Sequence, residues 1–297
     1  MSDKQMPSAS HGTQSVSRRE FAALTVAAGV AAATGIEAAQ AAAAATVTDV
    51  EVRTPSGVCD AALAEPQGAG RWPAVVMFPD AFGLRPVLKD MALRLAREGF
   101  VVLVPNPFYR SARAPGIGPD FDFQKPADRA ALAALRAPLT NDAVAEDAKA
   151  LIAYLDTRPN VARQARAGVV GYCMGGLMTM QAAAGVPGRI GAGASFHGGG
   201  LVTDKPDSAH LLVPRMRAEF YFGVAANDDA SQPDAKTQLA DAFRAARLTA
   251  RVEVYEGTLH GWCVPGPRMA GERPIYNEAQ AERAWRELVT LFTRTLV

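Results

Sequence analysis

From residue 46 onward, the chain alternates between two rhythms of apolar and polar side chains. TVTDVEVRTP at 46–55 and VCDAALAEP at 58–66 read as two strands that turn back on each other at Ser56-Gly57. The runs WPAVVMFPD (72–80), FVVLVPNPF (100–108), RAGVVGY (166–172), RIGAGASF (189–196) and AEFYFGVA (218–225) are apolar with little alternation, as in strands covered on both faces, and ARVEVYE (250–256) supplies a last strand. Between them lie stretches with helical spacing: VLKDMALRLAREGF (87–100), which ends at Gly99, then NDAVAEDAKALIAYLDTRP (141–159), with Asn141 or Asp142 near its cap. GGLMTMQAAAG (175–185), PDAKTQLADAFRAARL (233–248) and EAQAERAWRELVTLFTRTL (278–296) complete the set. Residues 110–142 are rich in Pro, Gly, Asp and Arg and read as a long surface excursion. Strand and helix alternate without a linker or an internal repeat. The pattern therefore predicts one α/β domain over 47–297, with a mainly parallel sheet, helices on both faces and an antiparallel edge made by the first hairpin.

The first 46 residues follow another pattern. Ser17-Arg18-Arg19-Glu20-Phe21 precedes an apolar, alanine-rich stretch from Ala22 to about Ile36, and Ala39-Gln40-Ala41 supplies small residues suited to cleavage near Ala41. The apolar part is short for a spanning helix, which needs about 20 residues. The paired arginines resemble a twin-arginine export signal, which implies a periplasmic or secreted protein that meets a membrane only during export.

Composition narrows the partners. The 297 residues carry 31 basic and 30 acidic side chains, net +1, and no basic block, so nothing points to nucleic acid or an anionic membrane as a partner, and no nucleic acid is expected. A monomer acting on a small molecule, with no cofactor, is expected. The three cysteines are Cys59, Cys173 and Cys263; an odd number leaves at least one free thiol, assigned to Cys173, and a Cys59–Cys263 bridge remains open. The four histidines are dispersed and no Cys/His pair has ligand spacing, so no metal site is expected.

Catalytic groups in open α/β sheets collect at the carboxyl ends of the strands. The polar residues there are Asp80, Tyr109 and Arg110, Cys173, His197, Asn227 with Asp228 and Asp229, and His260. Cys173…Asp228…His260 has the chain order nucleophile, acid, histidine. Gly171-x-Cys173-x-Gly175 places the thiol on a strand-to-helix corner, where side chains two residues either side would clash and where the helix N-terminus favours a thiolate and an oxyanion. Asp229 is the alternative acid. His197 reads as pocket-lining or as a hydrogen-bonded structural residue, His210 as structural, and Phe82 and Trp262 as pocket walls or core.

GYCMGG (171–176), LHGW (259–262), FGVAANDD (222–229) and FPDAFGL (78–84) together resemble the dienelactone hydrolase, or carboxymethylenebutenolidase-like, family of α/β-hydrolases. That resemblance implies a lactone or small-ester hydrolase working through a thioester acyl-enzyme. Cys173 would be the nucleophile, His260 base then acid, Asp228 the group that fixes the histidine, and the backbone N–H groups of Met174 and Ala81 the oxyanion hole. Two departures stand out. Asp80 occupies the place of the family's thiol-controlling Glu, and Cys263 and Val264 stand where a substrate-clamping arginine is expected, leaving Arg110 as the other half of that clamp. Two other readings stay open. A thiol acyltransferase or peptidase would need papain-like or caspase-like surroundings that the cysteine lacks, and a non-catalytic secreted binding protein would lack a triad member.

Overall fold

The apolar runs pair into an eight-stranded sheet. The computed structural model describes Met1, residues 44–118 and residues 120–297. The export signal expected over 1–46, with its arginine pair and cleavage site, lies outside the described residues except at its two ends. The first strand already begins at Ala45.

The hairpin expected at Ser56-Gly57 forms between β1 (Ala45–Thr54) and β2 (Gly57–Pro66), antiparallel with Thr54 opposite Gly57. β3 (Ala74–Phe78), α1 (Pro86–Arg97) and β4 (Val101–Pro105) follow. Next come α2 (Pro126–Arg136), α3 (Asn141–Thr157), β5 (Ala167–Tyr172), α4 (Met174–Gly185) and β6 (Ile190–Phe196). A 3₁₀ turn at Ala209–Arg215 leads to β7 (Glu219–Ala225) and the short α5 (Ala226–Ser231). α6 (Ala235–Ala245), β8 (Ala250–Tyr255), a two-stranded ribbon β9 (Met269–Ala270) with β10 (Arg273–Pro274), and α7 (Glu278–Leu296) close the chain.

The strand order is β1-β2-β4-β3-β5-β6-β7-β8. β2 meets β4 antiparallel, and β3 to β8 run parallel with β4. This is an α/β-hydrolase fold. Chain direction across the sheet reverses at β3, where β4 lies on one side and β5 on the other. Crevices for ligands open at such reversals, beyond the carboxyl ends of the strands.

Neighbouring residues of the central strands face opposite layers, so a continuous apolar run feeds two cores. Val76, Leu103 and Val169 pack with Val144, Leu151 and Met178 of α3 and α4. Val75, Val102 and Val170 pack with Leu88 and Leu95 of α1 and Leu288 and Phe292 of α7. Each such side chain contributes about 1.5–3 kcal/mol by leaving water. The two cores hold the strand ends, and the loops that leave them, in fixed register.

Two expectations change. The 110–142 excursion contains α2, started by Pro126 at its first turn with Asp128 beside it and anchored by the buried Leu132. And α3 is capped by Thr140, whose Oγ1 accepts from the Ala143 N–H at 3.2 Å, rather than by Asn141 or Asp142.

Candidate active site

Cys173 lies between the last residue of β5 and the first of α4, with φ 54° and ψ −115°. That is a costly backbone for a residue with a Cβ, and its neighbours explain how it is held. A Cβ on Gly171 would fall 2.0 Å from the Gly175 carbonyl oxygen. One on Gly175 would fall 2.2 Å from the Phe78 oxygen, and one on Gly176 would fall 2.4 Å from Ser195 Oγ. The three glycines let α4 lie directly against the ends of β3 and β5. The Cys173 N–H donates to the Phe196 carbonyl at 3.0 Å, tying the corner to β6.

The histidine arrives on the loop after β8. Thr258 Oγ1 donates to the Tyr255 carbonyl and accepts the Ala226 N–H, and Asn227 Oδ1 accepts the His260 N–H at 2.8 Å. Asn227 stands beside the acid in the sequence, but its role as a brace for the histidine loop shows only in the fold. His260 Nδ1 and Asp228 Oδ2 are 2.7 Å apart. Asp229 turns instead to Lys236 Nζ, at 2.7 and 2.8 Å. Burial disfavours the charged His260 ring, but the bond to Asp228 and the neighbouring Cys173 sulfur outweigh it, and its pKa is pushed up to about 10. The ring is thus poised to hold a proton at neutral pH, next to a thiol.

The fold adds a third chemical group. His197, after β6, has φ 40° and is 1 % exposed, and its ring centre lies 4.9 Å from that of His260. Cys173 Sγ and one nitrogen of each histidine all lie within 4.8 Å of one another. Burial, then the charges of His260 and Arg268, hold the His197 pKa well below the usual imidazole value. The sequence expectation of no metal-ligating set rested on spacing along the chain, and the fold brings three such groups together. Dispersed positions are gathered at neighbouring strand ends into a thiol and two imidazoles.

Met174 supplies the first N–H of α4, which has no intrahelical acceptor, and it lines the same cavity as Ala81 beyond β3. Asp80, expected to control the thiol, lines the cavity beside Cys173. Its carboxylate takes a two-point ion pair from Arg85, at 2.6 and 2.8 Å, and its Oδ1 also accepts the Phe82 N–H. Asp80 therefore shapes the Ala81–Phe82 turn, and Arg85, not singled out in the sequence, is its counter-ion.

Above the thiol opens a cavity of about 530 Å³. Phe82, Phe123, Leu132 and Leu177 supply apolar wall, and Arg136 and Arg268 supply the cations. Arg268 stacks 5.3 Å from the Phe82 ring centre and donates to the His260 carbonyl. Three residues expected to meet substrate, Arg110 as a clamp, Tyr109 beside it and Trp262 as a wall, are engaged elsewhere. Arg110 makes a two-point ion pair with Asp147 of α3, at 2.7 and 2.9 Å, and Tyr109 Oη bonds Asp147 and Thr54. Trp262 is fully buried and stacked on Tyr255 at 4.3 Å, so it is core. His210 Nδ1 bonds Ser208 Oγ, a structural contact. Cys59 and Cys263 are both free thiols, packed on opposite faces of the sheet, which rules out the bridge left open by the sequence.

Comparison with known proteins places the chain. A model of the Dienelactone hydrolase family matches residues 59–296. A Synechocystis protein named "putative carboxymethylenebutenolidase" is 29% identical over 240 residues, 79% of this chain and 91% of its own. A carboxymethylenebutenolidase from a Pseudomonas strain is 30% identical over 177 residues, 59% of this chain and 68% of its own. Among solved structures, a "putative dienelactone hydrolase" from Klebsiella pneumoniae superposes with a TM-score of 0.71 at 21% identity, covering 84% of this chain and 99% of that one.

Proposed function

The chain belongs to the dienelactone hydrolase family and is a lactone or ester hydrolase, and from that premise we propose that Cys173, His260 and Asp228 cleave the substrate through a thioester acyl-enzyme. The observation that carries the reading is one geometric fact. The thiol on the strained corner lies within 4.8 Å of a His260 ring nitrogen, and that ring is itself bonded to Asp228.

The steps follow from the charges. With the proton on His260, the Cys173 thiolate attacks the carbonyl carbon, and the C–S bond forms as the carbonyl electrons move onto oxygen. The N–H groups of Met174 and Ala81 face that oxyanion. Collapse breaks the C–O bond, and the departing alkoxide takes the proton from His260. Water then attacks the thioester, giving its proton to His260, and the thiolate leaves with the acid released. Asp228 holds the ring in one orientation throughout. The cavity favours a small acyl group with an apolar side, and Arg136 and Arg268 favour a substrate that also carries a carboxylate. In Cys173→Ala, kcat/KM on p-nitrophenyl acetate should fall by at least about a thousandfold with an unchanged circular dichroism spectrum. Retained turnover would remove Cys173 from the reaction.

We propose as well that the mature enzyme works outside the cytoplasm, supported by the Arg18-Arg19 pair, the apolar stretch behind it and Ala39-Gln40-Ala41. Replacing both arginines by lysine should leave the protein in the cytoplasmic fraction. Mature protein that still appears in the periplasm of that variant would contradict this route.

A further inference from the structure

His197 has no part in the steps above, yet it is 1 % exposed and neither ring nitrogen has a hydrogen-bond partner among the described residues. Buried polar groups are nearly always paired, and leaving one unpaired costs about 1–3 kcal/mol. A histidine kept only for packing would be expected to donate its N–H to a carbonyl. This one instead has a nitrogen within 4.8 Å of both Cys173 Sγ and a nitrogen of His260. The geometry points to a binding site for a divalent cation of the zinc class, held by Cys173, His197 and His260, whose occupation switches the hydrolase off.

The donor set selects the ion. One thiolate and two imidazoles suit zinc and its borderline-soft neighbours, whereas magnesium and calcium require oxygen ligands. In a tetrahedral zinc site with bonds of about 2.0–2.3 Å, ligand atoms lie about 3.3–3.8 Å apart. The three ligand atoms, within 4.8 Å of one another, must therefore close by at most about 1.5 Å, which side-chain torsions can supply. The surroundings of His260 also fit. Its Nδ1 is taken by Asp228 at 2.7 Å, which leaves Nε2 for a metal and repeats the carboxylate–histidine–metal arrangement that fixes such ligands. The fourth position faces the cavity and would hold water. The three ligands stand after β5, β6 and β8, so the site exists only in the folded chain.

Binding is simple exchange without redox change. The cation displaces the thiol proton to solvent, a sulfur lone pair becomes the metal bond, and lone pairs of His260 Nε2 and of one His197 ring nitrogen complete the set. In that state neither the nucleophile nor the base is available. The inhibitory effect, though not the binding, rests on the reading of Cys173 and His260 as nucleophile and base.

The test uses full-length folded protein freed of metal with EDTA. Zinc chloride is titrated by calorimetry and against p-nitrophenyl acetate turnover, with cobalt(II) as a spectroscopic probe. One zinc per chain should bind, turnover should fall at least about tenfold at saturation and return with EDTA, and cobalt(II) should show a thiolate charge-transfer band. Magnesium should do neither. In His197→Ala and His197→Gln, zinc affinity read by calorimetry should drop at least about tenfold; if neither variant folds, Cys173→Ala should show the same loss of affinity and of the cobalt band. The absence of stoichiometric zinc binding would overturn the proposal, as would zinc affinity unchanged in a folded His197 or Cys173 variant. The two readings fail separately. Turnover abolished in metal-free Cys173→Ala with no zinc binding in the parent leaves the triad and removes the metal site. Zinc bound at one ligand-dependent site in a protein whose turnover survives Cys173→Ala leaves the site and removes the triad.

Discussion

Gly175 is the residue on which the Cys173 corner closes. A methyl group there would meet the Phe78 oxygen at 2.2 Å and the Pro79 oxygen at 2.5 Å, both backbone atoms that cannot turn aside. Gly175→Ala should therefore push α4 off the end of β3, destabilise the protein by about 3 kcal/mol or more and lower kcat/KM with it. Gly188→Ala is the control, because nothing lies within 4 Å of its added carbon and its φ is not positive; its urea midpoint should move little. Urea denaturation and esterase assays on the two variants check the contrast, and equal behaviour would show that the corner tolerates a side chain. Much of this site was legible residue by residue, because Cys173, Asp228 and His260 each follow a strand and strand ends are readable from apolar runs. What was not legible depends on the direction of a side chain. Asp80 ends a strand as expected, yet its carboxylate turns to Arg85; Arg110 turns to Asp147; and His197 turns inward beside His260. No spacing in the sequence encodes those choices.

At the scale of elements, the Arg110–Asp147 pair is a clamp rather than a substrate contact. The two side chains are 13% and 8% exposed, and Arg110 also reaches Ser56 Oγ while Tyr109 bridges Thr54 to Asp147. The β1–β2 hairpin is thereby fastened to α3. Arg110→Ala leaves a buried carboxylate without its counter-charge, which costs about 3 kcal/mol or more. The variant should lose that stability in urea unfolding, and the Arg110→Ala/Asp147→Ala double variant should regain part of it. The ratio of kcat/KM for anionic over neutral lactones should stay as in the parent. A ratio that collapses to one would return Arg110 to the substrate site. Most elements were readable, the central strands from unbroken apolar runs and helices such as α1 and α7 from apolar positions at helical spacing. α2 was missed because its AALAAL core is flanked by Pro, Gly, Asp and Arg, and because Leu132 is its one fully buried side chain, too few to make a periodic stripe. That helix shapes the cavity beside Cys173, since it brings Leu132 and Arg136 to its wall.

The whole molecule is organised by one sheet with two apolar layers, and this much followed from continuous apolar runs alternating with helical ones. The strand order did not, since the placement of β4 between β2 and β3 is a long-range choice that local pattern does not carry. The same two layers set an alkaline limit to stability. Burial pushes the Tyr109 and Tyr255 hydroxyls up to about 12, and moves those of Tyr172 and Tyr221 in the same direction. Burial also raises Cys59 to about 12, and Cys263 well above its usual value. In the unfolded chain, tyrosine ionises near 10 and cysteine near 8.5. Between those values and the native ones, the unfolded chain binds fewer protons than the folded one. Stability must therefore fall as pH rises, by about 1.4 kcal/mol per pH unit for each such group once its unfolded form is ionised. Tyr172 isolates one contribution. It is 2% exposed, it stacks on Phe196 at 5.7 Å, and its replacement by Phe removes only the hydroxyl. Tyr172→Phe should match the parent at pH 8 and lose stability less steeply above pH 10, by about one proton's worth of slope. Urea titrations at pH 8, 9, 10 and 11 measure that slope for both proteins. Identical slopes would mean that Tyr172 ionises as readily in the folded chain as in the unfolded one, and that burial beneath α1 and α7 does not hold its proton.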